Sequence, residues 1–110
     1  MRKKLPQDIK IILHEVQKIL KKVYGENLKK IILYGSYARG DFTNGSDIDL
    51  MILLKDMKDP MNEREKYFNE IWELDLKYDT LISIIPLKEE EYKTRKLPVI
   101  LNAKHEGVVL

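Results

Sequence analysis

A glycine–serine turn and a pair of aspartates constrain the fold of this chain more than any other feature. The turn, Gly35-Ser36, comes directly after the apolar run IILY at residues 31–34. Asp47 and Asp49 stand at the head of a second apolar run, LMILL at residues 50–54. Successive side chains on a strand point to opposite faces, so both carboxylates emerge on one face, with Cα atoms about 6.6 Å apart. The pattern predicts a tight turn that faces two carboxylates.

The residue types in this pattern suit a phosphorylated ligand and a hard cation. Two neighbouring carboxylates repel each other unless a cation lies between them, and Mg²⁺ prefers oxygen ligands while keeping waters that substrate phosphates can replace. Gly35 allows the backbone to turn tightly and approach a ligand. Ser36 is expected to cap a short helix at residues 37–39, in which Arg39 adds a planar, permanently charged donor. We therefore expect a phosphate cradle facing a metal site, as a nucleoside triphosphate requires.

A hairpin is the alternative interpretation of the same segment. Asn44-Gly45 lies between the two apolar runs, and this dipeptide is a strong hairpin signal. Asp47 and Asp49 would then be solvent-facing strand residues. Strands are depleted in aspartate, however, and a simple hairpin needs no Gly35-Ser36 turn within its first arm. The hairpin is therefore the second choice.

The composition describes one small domain. Residues 1–110 are long enough for a single core but too few for a second substrate-binding domain, so a substrate is expected to meet an exposed face. Charged residues make up 35% of the chain but leave a formal net charge of only +2, which makes a nucleic-acid partner unlikely. There is no cysteine, which excludes disulfides and thiolate zinc sites. No apolar run reaches membrane length, and a cytoplasmic protein is expected.

Hydrophobic periodicity predicts a small α/β (α+β) domain, a mixed sheet with helices packed on one side. The second helix is expected to begin at Asp59-Pro60 and to bury a stripe of Tyr67, Phe68, Ile71 and Trp72. The predicted elements are a helix over residues 9–23, strands over residues 28–34 and 47–54, the second helix, a third strand over about residues 78–85 that Pro86 stops, and short helices near residues 88–93 and 98–104.

The string GSYARGDFTNGSDIDLMILL resembles the signature of the DNA polymerase β-like nucleotidyltransferase superfamily, in which Gly-Ser is followed after ten residues by Asp-x-Asp. Within it, the chain is similar to the minimal nucleotidyltransferases, the MntA-type antitoxins that are often paired with a HEPN protein. The closing segment NAKHEGVV at residues 102–109 echoes the short helix and Glu-Gly-aliphatic tail of this family, though far less specifically. The resemblance covers nearly the whole chain.

The resemblance implies the minimal polymerase β-like nucleotidyltransferase fold and the transfer of AMP from ATP to a hydroxyl. The implied acceptor is a tyrosine of a HEPN ribonuclease toxin, which makes the chain the antitoxin of a type VII toxin–antitoxin system. The family also needs a third carboxylate on the strand beside the Asp-x-Asp strand. Asp79 matches that position, with Asp75 as the alternative. The implied catalytic and metal-binding residues are Asp47, Asp49 and Asp79, holding two Mg²⁺ ions, and the implied nucleotide-binding residues are Gly35, Ser36 and Arg39.

Two other functions are compatible with the sequence. A binding module could neutralise the toxin by contact alone, with the motif surviving only as scaffold. Retention of three acids at one site argues against it, because a scaffold need not keep like charges together. Nucleotidyl transfer to a small molecule such as an aminoglycoside is the other alternative. Such enzymes usually carry an additional acceptor-binding domain, for which this chain has no room.

Overall fold

The first helix, α1, spans Gln7–Tyr24 and buries the apolar stripe that its sequence predicts. It begins after Pro6 and ends at Gly25, whose φ of 54° a residue with a side chain would adopt only with strain. These features belong to a computed structural model that describes residues 4–110. The elements that follow are β1 (Leu28–Tyr34), α2 (Ser36–Arg39), β2 (Ile48–Leu54), α3 (Pro60–Tyr78), β3 (Ile82–Lys88), α4 (Glu89–Thr94), α5 (Pro98–Glu106) and β4 (Val108–Val109).

The strands form a four-stranded mixed sheet in the order β3-β2-β1-β4. β1 runs antiparallel to β2 and to β4, whereas β2 and β3 are parallel. The register places Tyr34 of β1 opposite Asp49 of β2, and Asp49 opposite Ser83 of β3. The sheet thus brings the residue before the Gly35 turn alongside one of the two predicted catalytic acids.

Both faces of the sheet are covered. α1 and α3 pack on one face, over a core that includes Leu20, Leu50 and Ile71. The other face carries a smaller core in which Ile100 of α5 packs with Met51 of β2. The mixed α/β fold is confirmed, but the expectation that helices pack on one side only is wrong. The unbroken apolar run of β2 accounts for this, because a strand without alternation needs cover on both faces.

The third strand lies further along the chain than its predicted position. β3 begins at Ile82 and contains Pro86, which was expected to stop it. Pro86 is tolerated because β3 is an edge strand: the N–H of Ile82 donates to Asp75 Oδ1 at 2.9 Å, so this side of the strand faces away from β2. Pro86 shares that side, and its missing N–H therefore removes no bond of the sheet.

α3 begins at its predicted cap and buries half of the predicted stripe, Tyr67 and Ile71. The side chain of Asp59 accepts a hydrogen bond from the N–H of Met61 at 3.0 Å. Phe68 and Trp72 are 59% and 53% exposed, so the prediction that they belong to the core is wrong. Each directly follows a buried residue, Tyr67 or Ile71, and one residue corresponds to a rotation of about 100° around a helix. No helix among residues 4–110 is long and apolar enough to span a membrane.

Candidate active site

The Gly35 turn connects β1 to α2 and has the backbone geometry that only glycine adopts readily. Gly35 has a φ of 78°, and its carbonyl accepts hydrogen bonds from the N–H groups of Ala38 and Arg39 at 3.1 and 3.0 Å. A Cβ atom on Gly35 would collide with the carboxylate of Asp49. Glycine is therefore required at this position because the carboxylate of Asp49 packs against its backbone. This requirement exists even without a ligand.

Ser36 was predicted to be the N-cap of α2, but it is the first residue of that helix. The N-cap position belongs to Gly35, and α2 has no side-chain cap. The capping prediction is therefore wrong. Ser36 instead lines an open cavity of about 390 Å³. The other residues of that wall are Tyr34, Gly35, Arg39, Ser46, Asp47, Asp49, Asn102 and Glu106.

The two acids of the Asp-x-Asp motif differ in their surroundings. Asp47 precedes β2 and is exposed, whereas Asp49 lies within β2 and is half-buried. Burial and, secondly, the charge of Asp47 raise the pKa of the Asp49 carboxyl, while Arg39 acts in the opposite direction. Loss of hydration and like-charge repulsion both disfavour the ionised form. A cation between the two carboxylates would relieve both penalties, and this donor set suits Mg²⁺ with additional water or phosphate oxygens.

Glu106 is a member of this site that sequence reasoning missed. Glu106 is 8% exposed, and its Oε2 atom accepts a hydrogen bond from Nη1 of Arg39 at 2.9 Å. The Nε atom of Arg39 donates to Asp41 Oδ2 at 3.1 Å. Arg39 is therefore held from both sides, by an exposed acid of its own loop and by a buried acid of α5. The Glu-Gly tail was the available signal, but the sequence did not link it to Arg39.

The end of α5 is fixed closely against the sheet. A Cβ atom on Gly107 would collide with the Ala103 carbonyl and with a methyl group of Ile32. This close contact sets the position of Glu106 directly before it.

Burial raises the pKa of Tyr34 to about 12, and the charges of Asp49 and Glu106 contribute to this shift. The Tyr34 phenol therefore stays protonated at neutral pH.

Asp79 does not lie where the resemblance places the third carboxylate. It forms the C-cap of α3 with a φ of 50°, three residues before β3 begins at Ile82. It contributes to a neighbouring cavity that shares only Ser46 with the site cavity. The position of β3 opposite Asp49 is occupied by Ser83. The prediction that Asp79 opens the third strand is wrong, because α3 continues to Tyr78.

The alternative third acid, Asp75, is engaged in the fold. Its carboxylate accepts the N–H of Ile82, and burial raises its pKa. Within residues 4–110, no group of three or more histidine, cysteine, aspartate or glutamate side chains is placed to hold a metal ion. The structure thus brings Gly35, Ser36, Arg39, Asp47 and Asp49 to one cavity and leaves Asp75 and Asp79 outside it. The described residues supply two carboxylates for a metal, not three.

The raised pKa of Asp49 leads to a testable dependence of stability on pH. The unfolded chain releases this proton near the ordinary pKa of 3.8, while the folded chain retains it to higher pH. As pH rises through that interval, the free energy of unfolding contributed by Asp49 therefore falls. In chelator, Asp49→Asn is expected to be at least as stable as the parent at neutral pH, and this advantage should shrink as pH falls below the interval. Denaturant titrations of both proteins across pH measure the difference, and a constant difference at every pH would contradict the assignment.

A family model described as nucleotidyltransferase domain matches residues 9–108. A relative from Methanocaldococcus jannaschii, named as a candidate protein adenylyltransferase, is 38% identical over 97 residues, which cover 88% of this chain and 93% of the relative. A second relative from the same organism has the same descriptive name. It is 37% identical over 79 residues, which cover 72% of this chain and 53% of the relative. The residues that the family model matches include the Gly35 turn and the Asp-x-Asp pair.

Solved structures share the fold at low sequence identity. A toxin–antitoxin crystal structure with AMP-PNP superposes with a TM-score of 0.64 and 21% identity, covering 87% of this chain and 69% of the matched chain. A complex of a tri-AMPylated Shewanella oneidensis HEPN toxin with its MNT antitoxin gives a TM-score of 0.60 at 18% identity, covering 91% and 69%. This chain therefore has the same fold as these structures. This chain belongs to the nucleotidyltransferase domain family and is a nucleotidyltransferase.

Proposed function

We propose that this chain is an Mg²⁺-dependent protein adenylyltransferase that transfers AMP from ATP to a tyrosine of a HEPN ribonuclease toxin in the cytoplasm. On this proposal it silences the toxin as a type VII antitoxin. The observation that carries the proposal is the single cavity in which the Gly35-Ser36 turn meets the carboxylates of Asp47 and Asp49. The name of the Methanocaldococcus jannaschii relative and the HEPN complex among the structural neighbours support the choice of acceptor.

Asp47 and Asp49 are the residues that would hold the metal. Asp47 is exposed at the cavity mouth, and Asp49 is held against the Gly35 backbone, so the pair combines an accessible ligand with a rigid one. Bound Mg²⁺ would supply neutralisation of the triphosphate and of the leaving pyrophosphate. Glu106, the third carboxylate of the cavity wall, is bound to Arg39, so phosphate oxygens and water would complete the ligand set around Asp47 and Asp49.

Ser36 and Arg39 form the phosphate-binding side of the proposal. The Ser36 hydroxyl is a neutral donor in the cavity wall, and the guanidinium of Arg39 is a charged one. Because Glu106 accepts from Nη1 and Asp41 from Nε, the guanidinium plane is fixed while its remaining N–H groups stay available. A donor fixed before the substrate binds loses little rotamer entropy on binding.

In the proposed reaction the acceptor oxygen forms a bond to the α-phosphorus of ATP, and the bond between that phosphorus and the pyrophosphate oxygen breaks. The hydroxyl proton passes to a carboxylate of the cavity or to solvent, and pyrophosphate departs with the electron pair of the broken bond. The chain contributes mainly orientation and charge stabilisation, which dominate phosphoryl transfer. An open cavity on a small domain is accessible to a side chain of another protein.

The test uses labelled ATP, Mg²⁺ and a cognate HEPN ribonuclease. A mass increase of one or more AMP units on a HEPN tyrosine, with loss of ribonuclease activity, is the expected result. A contact-only antitoxin would silence the ribonuclease without any mass increase and without ATP. Transfer to an aminoglycoside but not to the HEPN protein would favour the small-molecule alternative.

The placement of Asp79 predicts that its carboxylate is dispensable. Asp79→Asn keeps a residue that tolerates the left-handed φ of 50°, so the fold should be preserved. We expect the Asp79→Asn variant to transfer AMP at a rate within about threefold of the parent rate. A lost transition-state contact worth about 1.36 kcal/mol would instead slow transfer tenfold. Single-turnover transfer assays measure this. A loss comparable to that of an Asp49 variant would restore Asp79 to the metal site.

A further inference from the structure

An apolar groove of about 310 Å³ runs between α3 and the free edge of β3. Its rim carries Phe68 and Trp72 of α3 and the 54% exposed Leu81 before β3. Phe68 and Trp72 are four residues apart, so they project from the same side of the helix. Large apolar side chains grouped in this way on a small domain are typical of a protein interaction site.

The edge of β3 is unsuited to pairing with another strand. The outward N–H of Ile82 is already bound by Asp75, and Pro86 has no N–H to offer. Both groups lie on the side of β3 that faces away from β2, which leaves Ile84 as the one outward donor between them. An added strand would therefore gain few backbone hydrogen bonds. Side-chain packing by a helix suits the groove better.

The charges of the groove indicate which helix fits. Its wall contains one cation, Arg64, one turn before Phe68, and one anion, Asp75, one turn after Trp72. Neither forms a salt bridge within residues 4–110. Eleven residues separate them, about 16 Å along the helix axis, so they cannot pair within one chain. A partner helix must therefore present an anion near Arg64 and a cation near Asp75.

A second copy of α3, running antiparallel, meets this requirement. A two-fold axis that passes between Phe68 and Trp72 places Arg64 of each copy within one residue, about 1.5 Å along the helix axis, of the level of Asp75 in the other. It also places each Phe68 against the other copy's Trp72. We infer that this chain forms a symmetric dimer through the α3–β3 groove. The aromatic pairs supply most of the affinity, and the two ion pairs set the register, because exposed ion pairs contribute little energy.

Sedimentation velocity over a concentration series tests the inference, and it does not depend on the proposed function. The parent is expected to change from monomer to dimer as concentration rises. Trp72→Lys should raise the dissociation constant by at least about tenfold, because it places a charge in the centre of the interface. Ile11→Lys is the matched control. Ile11 is 46% exposed on α1 and lies outside the groove, so its variant should associate like the parent.

A charge-exchange experiment tests the register. Arg64→Asp alone and Asp75→Lys alone should each weaken self-association, because each places like charges together at both ends. Mixing the two variants should restore association, since both contacts then join opposite charges. Circular dichroism checks that Asp75→Lys still folds; if it does not, the Trp72 and Ile11 variants decide. The inference is overturned if the parent stays monomeric at every concentration. That result is expected if the groove binds a helix of another protein. A mixture that associates no better than its components overturns the register.

Discussion

Replacing both motif acids, as Asp47→Asn with Asp49→Asn, is expected to reduce AMP transfer by roughly a thousandfold or more while leaving the fold intact. These side chains are the two carboxylates in the site cavity that could hold a cation together, and electrostatic stabilisation by a metal is worth several kcal/mol in the transition state. The loss of two repelling charges should not destabilise the protein. Radiolabelled transfer assays and denaturant titrations measure the two quantities.

Metal binding gives this prediction a readout that does not depend on activity. Mg²⁺ should raise the melting temperature of the parent, because a ligand that binds only the folded state stabilises it. The double variant should show no such increase. Asp56→Asn is the matched control, since Asp56 is an exposed acid just beyond the opposite end of β2. Undiminished transfer by the double variant would remove both residues from the proposed site.

Gly35→Val is expected to abolish measurable ATP binding. The substitution forces a branched side chain into a φ of 78° and drives its Cβ into the Asp49 carboxylate. The turn or the acid must then move, and either shift separates the phosphate side of the cavity from the metal side. Ser36→Ala removes one hydroxyl and leaves this geometry unchanged, so a loss of about tenfold or less is expected from it. Isothermal titration with ATP and Mg²⁺ measures both variants.

Gly45→Val separates backbone strain from the collision. Gly45 has a φ of 85°, close to that of Gly35, but a Cβ atom there would have no atom within 4 Å. Both valine variants should lose stability through strain, at about 1–2 kcal/mol or more. The Gly35 variant should lose ATP binding in addition. If both variants bind ATP equally well, close packing between Gly35 and Asp49 is not what maintains the site.

The local part of the site could be predicted from the sequence because its residues are close along the chain. Gly35, Ser36, Asp47 and Asp49 lie within one strand–turn–strand segment, and strand periodicity alone places both acids on one face. Their shared cavity agrees with that expectation. The approach of Asp49 to Gly35 could not be predicted, because it depends on the register between β1 and β2.

The errors arose where tertiary packing overrides local pattern. Of the four large apolar residues predicted to form the stripe of α3, Tyr67 and Ile71 are buried in the core, whereas Phe68 and Trp72 are exposed. Asp79 was assigned to β3 because the end of α3 was placed too early. Pro86 was treated as a strand terminator, although the edge position of β3 makes it harmless. Each outcome depends on which element lies next to which, and periodicity does not contain that information.

The contact between Arg39 and Glu106 has a consequence for the order in which the molecule becomes functional. The two residues are separated by 67 positions in sequence, whereas the turn and the acid pair form within about one strand–turn–strand unit. Closing so large a loop carries an entropic cost that local contacts do not, so it is expected late in folding. A nascent chain that has completed β2 would already expose both acids but would lack the α5 wall and the partner that holds Arg39. Nucleotide capture would therefore report on completed folding, and intermediates on the way to the native state would be inactive as transferases.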